Sequence, residues 1–192
     1  MSLIPAFEIG VWNAWIFTIY ELLSVPFLFR IAGKRGSTHD EDLDMSATHR
    51  IITASTKLLL FPILIYSIFL PLKLGTMWFY IGLPITLLGL VTSITALVNW
   101  ATTPTNAPIT RGLYRFSRHP MYIADFLFFL GLGIATASWI FLLFSILWLA
   151  TNFILGSYEE QDCLDKYGDA YREYMNRTPR WIGIPKAETK SN

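Results

Sequence analysis

From Met77 to Val98 the chain carries no charged side chain. A helix needs about 20 apolar residues to cross roughly 30 Å of hydrocarbon, and this run is long enough. The same criterion places candidate spans at about residues 10–30, 51–71, 77–98, 121–137 and 139–157. Composition agrees: 53% of the 192 residues are hydrophobic and 15% are charged, more apolar than a water-soluble domain of this size can hide in one core. The sequence therefore predicts an all-α integral membrane protein with about five transmembrane helices and a helical cytoplasmic C-terminal tail.

Basic residues set the orientation, because Lys and Arg concentrate in the cytoplasmic loops. Arg30, Lys34, Arg35 and Arg50 follow or precede the first two spans, Arg111, Arg115 and Arg118 follow the third, and Lys166, Arg172, Arg177 and Arg180 lie in the tail. The opposite face holds Lys73 alone. This predicts an outside N-terminus and a cytoplasmic C-terminus. No Lys or Arg precedes Arg30, so the first span reads as a retained anchor and not as a signal peptide. A net charge of +1 gives no basic face for nucleic acid, Cys163 alone forms no internal disulfide, and no Cys/His grouping has zinc spacing, so neither nucleic acid nor metal is expected.

The fourth and fifth spans are separated only by Thr136 to Ser138, which predicts a tight antiparallel hairpin. At 1.5 Å per residue its two arms climb roughly 27 and 32 Å, so the segment Arg118-His119-Pro120 and the pair Glu159-Glu160 return to one surface. A ligand with both a positive and a negative group fits that layout. In the tail, Leu164, Tyr167, Tyr171, Tyr174 and Met175 recur at helical spacing, with Gly168 placed to end one helix, Asp169 to cap the next and Thr178-Pro179 to stop it. The stretch Gly33 to Ser46 reads as a solvated loop.

Taken singly, these residues have plainer readings. The three arginines can be topology signals and headgroup anchors, Tyr114 and Tyr122 interfacial aromatics, Pro120 a helix start, and Glu159-Glu160 a solvated start of the tail helix. Inside the spans, Glu21, Lys57 and Asp125 are expected to face protein or water. Glu21 is expected to pair with Asn13 or Asn152, and Asp125 admits both a structural and a functional role.

"GLYRFSRHPMY", a hydrophobic hairpin, then "EEQDCLDKYGDAYREYMNRTP" resembles the signature of the isoprenylcysteine carboxyl methyltransferase family and its phospholipid methyltransferase relatives. The likeness runs from about Arg111 to Pro179. It implies S-adenosyl-L-methionine held between the hairpin and the tail, in keeping with the lack of a Gly-rich dinucleotide fingerprint. Carried over, Gly112, Leu113, Tyr114, Arg118, His119, Pro120 and Tyr122 would line the cofactor, and Glu159 and Glu160 would meet its amino-acid end. A carboxylate pairs with the α-ammonium, and His119 or Arg118 donates to the α-carboxylate. Arg177 would point at the methyl acceptor.

The resemblance thus implies a methyltransferase acting on a lipophilic or membrane-associated acceptor, isoprenylcysteine carboxylate-like, amid membrane lipids. The whole chain, 1–192, would be one membrane domain, with 1–98 on the acceptor side and 99–192 forming the cofactor-binding hairpin and tail. Two other readings stand beside it. An NADPH-dependent sterol-reductase-like enzyme shares a similar hairpin and tail, and a non-catalytic membrane protein could keep the same fold.

Overall fold

A computed structural model describes residues 8–36 and 47–186 of the chain. Among these residues there are six α-helices, one 3-10 turn and no strand. The helices are α1 (Trp15–Gly36), α2 (Ala47–Ile68), α3 (Met77–Ala101), α4 (Pro120–Ala135), α5 (Trp139–Tyr167) and α6 (Asp169–Arg177), with the 3-10 turn at Gly112–Arg115.

The packing of α3 against α4 shows which solvent the fold is built for. The buried residues of α3 are Gly82, Thr86, Gly89, Ser93, Ala96 and Leu97, spaced by threes and fours. Its large side chains, Leu87, Leu88, Val91, Ile94 and Val98, point outward and are exposed. A soluble helix does the reverse. With lipid outside, helices associate through close backbone approach, which requires small residues on the seam. That approach is very tight: a Cβ added at Gly82 would stand 2.2 Å from the Ala135 nitrogen, and one at Gly89 would stand 2.4 Å from the Phe128 nitrogen. On the hairpin's other side, Phe128, Phe129, Phe141, Phe144 and Trp148 form an aromatic core, with Phe129 meeting Phe144 edge-on at 4.9 Å.

Two helices, α3 and α5, are long and apolar enough to cross a membrane. They rise roughly 37 and 43 Å at 1.5 Å per residue, whereas α4 rises roughly 24 Å. Together with the outward apolar surface, they make this a membrane protein.

The expected hairpin forms. Thr136 ends α4, Ala137 takes a positive φ of 52°, and the Ser138 hydroxyl caps α5 by accepting from the Phe141 amide. At the same end of the molecule the entry to α1 and the exit of α2 are tied together. The Asn13 carboxamide donates to the carbonyls of Glu8 and Ile68, at 2.6 and 2.7 Å, and the Ala14 amide donates to Leu70 O. The loop after them reaches the hairpin through Lys73 N to Ala135 O at 3.1 Å.

Several expectations need correction. The first apolar run becomes helical only at Trp15, because residues before it are drawn into the Asn13 turn, and α1 then continues to Gly36. Gly33–Gly36, expected in a loop, is thus helical, while residues 37–46 lie outside the described residues. The fifth helix does not stop near 157 but runs unbroken to Tyr167, so Leu164 and Tyr167 belong to it. Gly168, with φ 53°, ends α5 and also stands at the N-cap of α6; Asp169 is the first residue inside α6 and not its cap. Neither Asn13 nor Asn152 pairs with Glu21, since both carboxamides are taken by backbone carbonyls, Asn152 by Trp148 O at 2.8 Å. Glu21 is buried and its Oε1 has no hydrogen-bond partner among the described residues. Beside it, Tyr20 donates to Ser93 Oγ and Ser93 to Asp125 Oδ1, each at 3.1 Å, joining α1, α3 and α4.

Candidate functional site

The site is assembled where α3 ends, α4 begins and α5 runs into the tail. Gly112 opens the 3-10 turn with φ 62°, and a Cβ there would lie 2.2 Å from the Asn99 carboxamide, so only glycine lets the chain turn back against the end of α3. The turn leads through Ser117, whose hydroxyl accepts from the His119 amide at 3.0 Å, to Pro120 at the first position of α4. Proline there lacks only an N–H that would have had no helical partner. His119 is left at the helix mouth with its imidazole turned toward α5.

The tail is laced onto this segment. The Tyr174 hydroxyl donates to Tyr114 O at 2.7 Å, the Arg118 amide donates to Pro179 O and Arg180 O at 3.1 and 3.2 Å, and the Gly183 amide donates to Phe116 O at 3.0 Å. Tyr171 and Tyr174, the buried residues of α6, are the face expected to be sticky. The expected stop at Thr178 also holds, its amide closing on Tyr174 O.

Around His119 the polar groups converge. His119 Nε2 lies 3.0 Å from Glu160 Oε1 and Nδ1 lies 3.6 Å from Glu159 Oε2. Arg118 Nε and Arg180 Nε approach the same Glu160 oxygen at 3.4 and 3.2 Å, within ion-pair distance though without hydrogen-bond alignment. Arg180 also donates to Ser157 Oγ at 2.6 Å. Tyr122 donates a short hydrogen bond to Glu159 Oε1. The His119 ring stacks parallel on Tyr122 at 5.4 Å and meets Trp181 at 5.6 Å. Room for it comes from Gly156 of α5, where a Cβ would sit 3.2 Å from the imidazole.

Electrostatics follow from this arrangement. Burial disfavours a charged imidazole, but the hydrogen bonds and charges of Glu159 and Glu160 outweigh it and hold His119 above its ordinary value of 6.5. For Glu160, lying beyond the apolar part of α5, burial pushes upward. His119, Arg118 and Arg180 prevail and hold it below the ordinary 4.5. The result is a buried carboxylate with a ring of cations.

A cleft of about 460 Å³ opens beside this cluster. Of the residues expected to hold a ligand, Tyr114, Arg118, His119, Tyr122 and Glu159 line it. Gly112, Leu113, Pro120 and Glu160 do not; Gly112 and Pro120 shape the backbone, and Glu160 lies behind the wall, gripping His119. Arg177 is also outside the lining, at the end of α6, where its guanidinium pairs with Glu173 at 2.9 Å. Lining residues that sequence reasoning did not single out for the site include Trp100, Met121, Asp162, Cys163 and Lys166. Burial and the neighbouring acidic groups push the Cys163 thiol up to about 12, so it is not a ready nucleophile. Arg180 and Trp181, which close the cluster from behind, carried no site signal in the sequence beyond a basic residue in a tail. Among the described residues no His, Cys, Asp and Glu grouping could hold a metal ion.

Comparison with known proteins adds two findings. Residues 73–170, about half of the chain, match the phospholipid methyltransferase family. The methanethiol S-methyltransferase 1 of Bradyrhizobium diazoefficiens is 36% identical over 70 residues, a stretch that takes in 36% of this chain and 24% of that protein. The matched stretch thus spans about a quarter of that relative's length.

Proposed function

This chain belongs to the phospholipid methyltransferase family, and we propose that it is an integral membrane methyltransferase that uses S-adenosyl-L-methionine to methylate a lipophilic or membrane-associated acceptor. The observation that carries this reading is the cleft at the His119–Glu160 cluster. Its size falls in the range of roughly 300–1,000 Å³ usual for small-ligand sites, and its walls offer both charges of an amino acid. The Glu159 carboxylate, 43% exposed, would meet an α-ammonium. Arg118 and Lys166 offer cations to an α-carboxylate, and Tyr114, Tyr167 and Tyr171 offer ring faces and edges to a base. The residues present therefore fit such a cofactor.

When bound, the cofactor supplies an electrophilic methyl group on a sulfonium. The chain's own contribution is to orient and to exclude water. Glu160 fixes the His119 ring, the ring and Tyr122 brace each other, and the tail closes over them. We place Arg177 at the acceptor: from the end of α6 it would exchange Glu173 for an acceptor's negative group. An isoprenylcysteine carboxylate-like acceptor arrives ionised and needs no base, whereas a thiol, the acceptor class named for the Bradyrhizobium relative, must shed a proton. We read the whole chain as one five-span membrane domain with a cytoplasmic tail, residues 1–98 serving the acceptor.

The experiment is ligand-dependent thermal stability in mild detergent. A ligand selective for the folded state stabilises by about 2.7 kcal/mol at a hundredfold excess over its Kd. S-adenosylmethionine and its demethylated product are expected to raise the unfolding temperature and NADPH to leave it unchanged. Stabilisation by NADPH alone would overturn the proposal.

A further inference from the structure

Beyond α6 the chain bends at Arg180 to Ile182 and runs on without regular structure to Lys186, and the exposure of its residues alternates. Trp181, Gly183 and Pro185 are turned toward the protein and partly covered, whereas Ile182, Ile184 and Lys186 are exposed. Here the outward set is wrong for water: Ile182 is 74% exposed and Ile184 89%. The segment is nonetheless held in place. Gly183 N donates to Phe116 O and Lys186 N to Arg177 O, at 3.0 and 2.9 Å.

Its position shows what it faces. Trp181 stacks on Phe153 of α5 at 4.7 Å, with the rings 13° apart, and the Arg180 guanidinium lies 5.8 Å from the same ring. Phe153 is itself half exposed and belongs to the outward apolar surface of α5, with Ile146, Leu147 and Ile154. The strap therefore lies on the bilayer-facing side of α5, near the end where its apolar run gives way to Glu159. Phe116, 51% exposed, lies next to the strap, its carbonyl accepting from Gly183 N. Exposed Arg115 adjoins Phe116, and exposed Lys186 ends the strap. Apolar side chains flanked by cations, beside a Trp and an Arg, are the pattern of a segment seated at a membrane interface.

We propose that Arg180–Lys186 is an interfacial anchor that seats on an anionic bilayer surface, with Ile182, Ile184 and Phe116 among the acyl chains and Arg115 and Lys186 at the headgroups. Seating couples the bilayer to the cleft, because the inward side of the same strap carries Arg180 to Glu160 and Trp181 to His119. A lipid surface that holds the strap down holds the His119–Glu160 pair in place. The coupling to ligand binding rests on the function proposed above; the seating itself does not.

Hydrogen exchange separates the two. The full chain is placed in nanodiscs of phosphatidylcholine alone and of phosphatidylcholine with phosphatidylglycerol, and exchange is followed by mass spectrometry over residues 178–186. Wild type is expected to exchange at least about tenfold more slowly in the anionic discs, since opening of the strap must there expel its apolar residues and part its cations from lipid. The double variant Ile182→Ser/Ile184→Ser is expected to lose that difference while α6 keeps its own protection. Equal exchange in the two lipids, or a lipid effect that survives the double substitution, overturns the anchor. Cofactor affinity in the same discs reads the coupling: wild type is expected to bind several-fold more tightly in the anionic ones and the double variant equally in both. An intact lipid effect on exchange with no S-adenosylmethionine binding in either disc would instead count against the proposed function alone.

Discussion

Glu159 and Glu160 are sequence neighbours with opposite surroundings, and neutralising each should therefore damage a different property. Glu160→Gln keeps the side chain's shape and an oxygen for His119 but removes the charge that Arg118, Arg180 and His119 share. The Glu160 side chain is 10% exposed, those of Arg118 and His119 are 11% and 5%, and only Arg180, at 27%, has ready access to water. A hydrogen bond to a charged group contributes about 1.5–3 kcal/mol, and removing one partner of a fully buried pair costs about 3–5 kcal/mol. The guanidinium contacts lack hydrogen-bond alignment, and the imidazolium can relieve the imbalance by losing its proton. Both facts favour the lower figures, so a loss of about 2–3 kcal/mol is expected. For a chain of this length each kcal/mol is worth about 2–4 °C, which gives a fall of roughly 4–12 °C in detergent. Glu159→Gln, with a side chain 43% exposed, is expected to cost under about 1 kcal/mol of stability. It should instead weaken S-adenosylmethionine binding by about tenfold, the loss of one charge-assisted bond. The assays are thermal unfolding by intrinsic fluorescence and calorimetric titration on both variants. A Glu160→Gln protein as stable as wild type, beside a destabilised Glu159→Gln, would refute the assignment of Glu160 as the buried counter-ion.

Stability should also track pH through the same pair. The His119 contribution is full below its ordinary value of 6.5 and is lost as pH rises through the raised folded value, while the Glu160 contribution is full above 4.5 and is lost as pH falls through the lowered folded value. Detergent unfolding temperatures are expected to hold a plateau between those limits and to decline on the alkaline side in wild type, with a smaller alkaline decline in His119→Gln. Arg177→Ala is expected to bind S-adenosylmethionine almost normally and to transfer methyl at least about tenfold more slowly, a barrier change of about 1.4 kcal/mol, measured by radiolabelled methyl transfer to candidate carboxylate and thiol acceptors.

The hairpin was legible because Thr136-Ala137-Ser138 is the only break between the fourth and fifth apolar runs, and arm lengths alone then return His119 to the level of Glu160. Helix limits were less so. Apolar content cannot tell the Asn13 turn from the helix after it, and it ends at Gly156 although the α5 backbone continues to Tyr167. The partner of Glu21 was misjudged because depth in a span says nothing of rotation, and both asparagines had nearer carbonyls to satisfy. The strap left no periodic signal at all: seven residues of irregular chain, with Gly183 and Pro185 among them, look like a frayed tail until Trp181 is seen against His119 and Phe153.

The seam between α3 and α4 implies an unusual tolerance to mutation. In a water-soluble protein the largest side chains sit deepest and are the least free to vary. Here the least replaceable positions are Gly82, Gly89 and Gly131, where the Cβ of the smallest possible change already collides with backbone, while Leu88, Val91 and Ile94 need only stay greasy. Relatives that diverge from this chain should therefore drift freely at its biggest residues and hold still at its smallest, and a homology search weighted toward bulky hydrophobic identities will overlook them.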